Sequence, residues 1–134
     1  ITKERGKKME MYHVWDFDIT MGNCNYTGFE KPEGWQMKGA KWYNKMFQDP
    51  SFVKEVQDRW NELYPQIREI PSFVESQIAL LDGAQDRNFE RWDILGIYVW
   101  PNAVWLGSYE AEVDFLLDYY NSRIEWLNIQ LNAL

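Results

Sequence analysis

An apolar stripe in the middle of the chain constrains the fold more than any other feature of the sequence. After Asp49-Pro50, large apolar residues recur at spacings of four, four, three, four and three, namely Phe52, Val56, Trp60, Leu63, Ile67 and Ile70. This period places them on one face of an α-helix, whereas a strand would put alternate residues on a face. Asp49 is suited to cap this helix and Pro50 to occupy its first position. Pro65 is expected to kink or split it.

Two more long helices are predicted towards the carboxyl end. Ser72 followed by Glu75 has the form of a capping box, which predicts a helix running to about Trp92. Ser108 is predicted to cap the last helix. The inner stripe of that helix comprises Tyr109, Val113, Leu116, Tyr120, Ile124, Leu127 and Leu131.

Two segments between the long helices are less regular. Lys38 to Gln48 predicts a short helix, preceded by a loop from Gly22 to Gln36 that is long enough to suggest a function. The segment Ile94 to Gly107 is apolar but broken by Gly and Pro. We interpret it as packed and irregular, with a possible short strand at Tyr98–Trp100.

The amino-terminal segment predicts a β-hairpin. Ile1 to Lys3 and Met9 to Val14 are separated by a turn that contains Gly6. The second arm is apolar on both faces, as in a strand buried within a larger sheet, and two strands make too small a sheet alone. Since Ile1 is not a methionine, we expect the chain to be a processed or shortened piece of a longer protein.

The fold class is therefore predicted to be mainly α with a small N-terminal β-hairpin (α+β). We expect a single domain over residues 1–134, divided into the hairpin and a carboxylate motif (1–23), a loop (24–36) and a helical part (37–134).

Composition excludes several classes of function. The 134 residues carry a net charge of −7, and a nucleic-acid partner would require clustered Lys and Arg. The single cysteine, Cys24, excludes an intramolecular disulfide. No apolar run is long enough to span a membrane.

Polar chemistry is concentrated where the predicted second strand ends, at Asp16 and Asp18. Such a pair often forms a solvated turn. The pair is also suited to bind a hard cation such as Mg²⁺, which prefers oxygen ligands. Besides one or two carboxylates, Mg²⁺ usually has several waters and the phosphates of a substrate as ligands. His13, the one histidine, is interpreted as a packed strand residue.

Asp16-Phe17-Asp18-Ile19-Thr20 also matches the D-x-D-x-T nucleophile motif of haloacid-dehalogenase-type phosphatases. That fold requires alternating strands and helices after the motif, together with a second acidic motif at a strand end. Here Asp82 to Asp86 lies within a helical pattern, so we interpret the match as accidental.

Several short motifs, in a shared order, resemble the CotH-type spore-coat kinase family. They are Val14-Trp15-Asp16-Phe17-Asp18 with Met21-Gly22-Asn23, Gly34-Trp35, Asp49-Pro50-Ser51-Phe52, Arg59-Trp60-Asn61-Glu62-Leu63, Asn88-Phe89-Glu90-Arg91-Trp92, Trp100-Pro101-Asn102, Ser108 to Val113 and Arg123 to Leu127. The resemblance implies an atypical protein kinase that uses Mg²⁺ and ATP to phosphorylate Ser or Thr of a protein. It implies metal binding by Asp16 and Asp18, and cofactor binding by Asp16, Asp18 and Asn23. For Asp18 and Asn23 a supporting, structural role is the alternative.

The resemblance covers the C-terminal lobe of a kinase-like fold. The family's nucleotide-binding lobe and catalytic-loop aspartate lie upstream of the motif, so the chain alone is expected to be inactive and to need the upstream lobe of its own polypeptide. The resemblance also implies an extracellular, cell-surface or spore-coat location.

A non-catalytic binding module of the same family is the alternative, since some relatives are regarded as adhesins or surface proteins. In that case Trp35, Trp100 and Trp105, which lie in predicted loops, would stack on a glycan or peptide. The three tryptophans with helical spacing, Trp60, Trp92 and Trp126, are predicted to lie in the core.

Overall fold

The computed structural model describes residues 2–10, 17 and 19–134. The described elements are strands β1 (Thr2–Lys3) and β2 (Met9–Glu10) and helices α1 (Lys41–Met46), α2 (Pro50–Ile67), α3 (Ile70–Arg91) and α4 (Tyr109–Asn132). The strands pair antiparallel, with Thr2 opposite Glu10. The mainly helical fold with a small N-terminal hairpin is therefore confirmed, while the rest of the predicted second strand, residues 11–14, lies outside the described residues.

Two helices begin at the predicted capping residues. At the start of α2, the Asp49 Oδ1 atom accepts hydrogen bonds from the Ser51 backbone N–H (2.9 Å) and from the Ser51 hydroxyl (2.7 Å). These bonds, the side-chain one foremost, hold the pKa of Asp49 below its usual value. At the start of α4, the Ser108 Oγ atom accepts from the Ala111 N–H at 3.1 Å. Both predictions are confirmed because a cap depends on neighbouring residues alone.

The capping box predicted at Ser72 is wrong. Helix α3 already begins at Ile70, with Pro71 in its first turn, and the Glu69 side chain makes no capping hydrogen bond. Pro65 lies inside α2 and does not split it there; the break falls at Arg68 and Glu69, so that Ile70 of the predicted stripe belongs to α3. A proline in the first turn needs no N–H partner, which favours this earlier start.

These two serines allow a matched test of capping. We expect Ser108→Ala to lower the free energy of unfolding by about 1 kcal/mol, because the Ala111 N–H loses its acceptor. Ser72→Ala should leave stability unchanged or raise it slightly, since alanine is the better helix former inside α3. Urea unfolding of both variants measures the difference, and equal losses would contradict the assignment.

Helix α4 forms the centre of the packing. It contacts α2 and α3, and it carries four of the buried residues, namely Tyr119, Tyr120, Ile124 and Leu131. Polar contacts reinforce the contact with α2: the Trp60 Nε1–H donates to Asn128 Oδ1 at 3.0 Å, and the Tyr120 hydroxyl donates to the Ile67 carbonyl at 2.8 Å. The two helices therefore pack together, with Trp60 and Ile67 of the predicted α2 stripe and Tyr120 of the α4 stripe at the contact.

The prediction that the segment after α3 is packed is wrong, and parts of α3 are exposed as well. The Phe73 and Leu80 side chains are 61% and 74% exposed. Trp92, predicted to lie in the core, is 55% exposed. Residues 94–107 form turns, without the strand considered at Tyr98–Trp100, and most of their large apolar side chains are exposed. An apolar pattern identifies the surface that favours burial, but it does not supply the element that would cover it.

Within the described part of the chain, no helix combines the length and the hydrophobicity that a membrane span requires.

Candidate functional site

The two predicted metal ligands, Asp16 and Asp18, lie outside the described residues, as does His13. The metal site therefore stays a prediction. The structure does describe the residues that flank it. The backbone N–H and the hydroxyl of Thr20 both donate to the Phe17 carbonyl, at 3.2 and 2.6 Å. The end of the motif is thus held by a local hydrogen-bonded turn.

Gly22, which follows this turn, rests directly on the ring of Tyr119 in α4. Its φ of +85° is in the region that favours glycine. A Cβ atom built at Gly22 would lie 2.2 Å from the Tyr119 Cδ2 atom, far inside van der Waals contact. The close approach therefore requires a residue without a side chain.

Asn23 joins the same segment to the turns before α4. Its Oδ1 atom accepts hydrogen bonds from the backbone N–H groups of Ala103 (2.7 Å) and Val104 (3.1 Å). The Asn25 N–H donates to the Pro101 carbonyl at 2.8 Å. Cys24, which lies between Asn23 and Asn25 in the sequence, is fully buried. The structure thus gives Asn23 a structural role, and its predicted contact with a cofactor stays a prediction.

Helix α4 also binds the loop that follows Asn23 in the sequence (residues 24–36). The Tyr119 hydroxyl shares its proton between the carbonyls of Phe29 (3.1 Å) and Lys31 (3.3 Å). Arg123, one turn later, donates through Nη1 to the carbonyls of Pro32 (2.8 Å) and Gly34 (2.7 Å). Burial raises the pKa of Tyr119. The predicted loop is therefore confirmed as irregular, and it is fixed to α4 at four carbonyls.

A cavity of about 350 Å³ opens beside the motif. It lies between the loop and α4, and its lining consists of Ile19, Thr20, Phe29, Gln36, Met37, Tyr119 and Arg123. Among the residues that the structure describes, no group of three or more His, Cys, Asp or Glu side chains could hold a metal ion. The oxygen donors of Asp16 and Asp18 remain the donor set whose chemistry fits a hard divalent cation.

Sequence reasoning missed Tyr119 and Arg123. The predicted inner stripe of α4 contains Tyr120 but not Tyr119. Arg123 enters the sequence analysis only as the first residue of the family motif Arg123 to Leu127, without a predicted contact. Their spacing of four residues puts both on one face of the helix, adjacent to the stripe. That spacing is the signal that could have identified a second, polar contact face.

The role of Asn23 predicts a measurable loss of stability. We expect Asn23→Ala to cost about 1–3 kcal/mol, because two partly buried backbone N–H groups lose their acceptor. Asn23→Asp keeps an oxygen in the same place and should retain most of the stability. Chemical denaturation compares the two variants. An alanine variant as stable as the parent would show that water replaces the side chain without loss.

Comparison with known proteins gives one clear match. The family model described as CotH kinase protein matches residues 2–127, which include the carboxylate motif, the loop and almost all of the helical part. Searches among curated proteins and among solved structures give no match. The family match extends over most of the chain, and the chain therefore belongs to the CotH kinase protein family.

Proposed function

We propose that this chain is the C-terminal, metal-binding part of a protein kinase domain. The complete domain would transfer phosphate from Mg²⁺–ATP to Ser or Thr of a protein substrate. The proposal is supported by the family match over residues 2–127 and by the carboxylate pair of Asp16 and Asp18. Asp16 and Asp18 would hold Mg²⁺, which would supply positive charge to offset that of the nucleotide phosphates.

One structural observation supports the proposal most directly. The residues immediately after the carboxylate motif are fixed to two different parts of the helical unit, Gly22 to Tyr119 of α4 and Asn23 to the backbone of Ala103 and Val104. Phosphoryl transfer depends mainly on positioning and electrostatics. A motif that holds a metal and phosphates needs a rigid support of this kind.

The upstream lobe of the same polypeptide is the proposed partner that completes the site. Exposed apolar side chains accumulate between α3 and α4, at Trp92, Ile94, Ile97, Trp105 and Leu106. Apolar surface of this extent in a soluble protein generally marks an interface. We therefore expect the chain alone to be inactive in phosphoryl transfer.

Metal removal tests this function in the parent polypeptide. We expect the parent to transfer label from γ-labelled ATP to Ser or Thr of itself or of a generic protein acceptor when Mg²⁺ is present. Chelation by EDTA should abolish the transfer, and renewed Mg²⁺ should restore it. The 134-residue chain is the control that should show none. Transfer that is equal with EDTA, or absent from the intact parent with Mg²⁺, would overturn the proposal.

A second candidate function is glycan binding, which one observation favours. The Trp100 ring is 70% exposed and lies parallel to the Tyr26 ring, with centroids 6.2 Å apart and an interplanar angle of 16°. An open aromatic face that is supported from behind suits stacking on a sugar ring. In this case chitohexaose or cellohexaose would give a saturable fluorescence change. Trp100→Ala would abolish it, whereas Trp42→Ala, at a residue 63% exposed on α1, would not.

A further inference from the structure

Two neighbouring cavities lie between the end of the carboxylate motif and helix α2. The cavity of about 350 Å³ beside Ile19 and Thr20 shares Gln36, Met37 and Arg123 with a second cavity of about 380 Å³. The second cavity is also lined by Trp35, Lys38, Tyr43, Phe47, Phe52 and Val56. Each volume lies within the range of ligand-binding clefts. We call the two together the Arg123 groove.

The far half of the Arg123 groove is aromatic. The Trp35 ring packs edge-on against Trp126, with centroids 5.1 Å apart. The centroid of the Phe47 ring lies 6.4 Å from that of Trp35 and 5.3 Å from that of Phe52. Met37, whose side chain lies at the junction of the two cavities, is 57% exposed. Such a surface favours a large apolar side chain as its occupant.

Two cations border this apolar surface. Arg123 is partly buried, is 5.0 Å from the centroid of Trp126, and uses Nη1 for the Pro32 and Gly34 carbonyls. The Lys38 Nζ atom lies 4.9 Å from the centroid of Trp35. Among the described residues, no carboxylate lies within ion-pair distance of Arg123, although the charge of Glu33 acts on it from farther away. A partly desolvated cation of this kind is stabilised by an incoming anion.

We propose that the Arg123 groove binds a peptide segment in which an acidic residue lies next to a large apolar residue. The acidic side chain contacts the guanidinium of Arg123, and the apolar side chain enters the aromatic half beside Trp35 and Phe47. Two joined cavities suit an extended chain better than a compact small molecule. A carboxylate is the better anion here, because a phosphate monoester brings almost two charges into a largely apolar cleft. The proposal does not depend on kinase activity.

Peptide titration of the 134-residue chain tests this interaction. The probe is the blocked peptide acetyl-Gly-Ser-Leu-Glu-Leu-Ser-Gly-amide, which contains no aromatic residue, so the fluorescence comes from the chain alone. Of the eight tryptophans, Trp35 lines the groove and Trp126 packs against Trp35, so we expect these two to report binding. We expect a saturable change. Replacing the Glu of the peptide by Gln should weaken binding at least about tenfold, because a charge-assisted hydrogen bond is lost. Free hexanoate, which has the same two chemical groups without a peptide backbone, should not saturate the signal.

Two variants of the chain locate the site. Arg123→Gln should weaken binding about tenfold, with Arg87→Gln on α3 as its control. Because Arg123 also holds the loop, Met37→Glu is the independent variant, since it places a negative charge at the exposed junction of the cavities. Leu80→Glu, at a residue 74% exposed on α3, is its control. Equal affinity for the Glu and Gln peptides, tight binding of hexanoate, no saturable signal, or unaltered binding by Met37→Glu would each overturn the proposal.

Discussion

Gly22→Ala is expected to destabilise the chain by about 2–5 kcal/mol, more than any other single change to the described residues considered above. Two costs add. A φ of +85° costs a residue with a Cβ atom about 1–2 kcal/mol. The new Cβ atom would also lie 2.2 Å from Cδ2 and 2.7 Å from Cγ of Tyr119, close to the fixed end of that side chain. Such overpacking typically costs about 1–3 kcal/mol.

The Tyr119 ring has little freedom to move away from an alanine at position 22. Its Cα is part of α4, and its hydroxyl is held by the carbonyls of Phe29 and Lys31. Relief of the clash must therefore displace either the loop or the segment that carries the carboxylate motif. If the proposed function holds, the same variant of the complete domain should lose metal-dependent activity together with stability.

Gly28→Ala is the matched control for this prediction. Gly28 has a φ of +79°, almost the same as Gly22, but no heavy atom lies within 4 Å of a Cβ built there. This variant should show the backbone cost of about 1–2 kcal/mol alone. Denaturant unfolding of the two variants measures the steric part by difference. Equal destabilisation would mean that Tyr119 yields and that the packing of Gly22 is unimportant.

The sequence predicted α2 and α4 well because their determinants are local. The stripe of α2 and the caps at Asp49 and Ser108 involve residues within a few positions of each other. The start of α3 was predicted wrongly because that prediction relied on a single local signal. The capping box at Ser72 is a valid local signal, but the two-residue connection after Ile67 and the proline at position 71 start the helix earlier.

Contacts between distant parts of the chain were beyond sequence reasoning. Tyr119 binds carbonyls 88 and 90 residues away, and Asn23 binds N–H groups 80 and 81 residues away. Backbone carbonyls and N–H groups belong to every residue, so sequence does not reveal which of them a side chain will reach. The family resemblance included Gly22 and Asn23 in one motif, and the structure shows which groups they contact.

The exposed segment between α3 and α4 shows a related limit. Trp92 and the apolar residues of 94–107 were expected to be packed, because side chains of this kind favour burial. In the chain as it stands they are largely exposed. The pattern correctly predicted that this surface is apolar. In the proposed complete kinase domain, the upstream lobe would cover it.

In that complete domain, Asp16→Asn is expected to lower the rate of phosphoryl transfer at least about a thousandfold. The substitution keeps the size of the side chain and removes its negative charge, so the variant should fold while binding Mg²⁺ poorly. Charge stabilisation by a metal ion contributes several kcal/mol to a transition state, and about 4 kcal/mol corresponds to a thousandfold.

Asp82→Asn is the matched control, because Asp82 loses the same charge at an exposed position on α3. It should transfer phosphate at the parent rate, whereas in the phosphatase interpretation Asp82 belongs to the second acidic motif and its loss would be harmful. Two measurements separate metal binding from folding: the Mg²⁺ concentration that gives half-maximal transfer should rise for Asp16→Asn alone, and the unfolding midpoints of both variants should match the parent. Phosphate transfer at the parent rate by Asp16→Asn would exclude Asp16 as a metal ligand. It would also contradict the metal-binding role that the family resemblance implies for this residue.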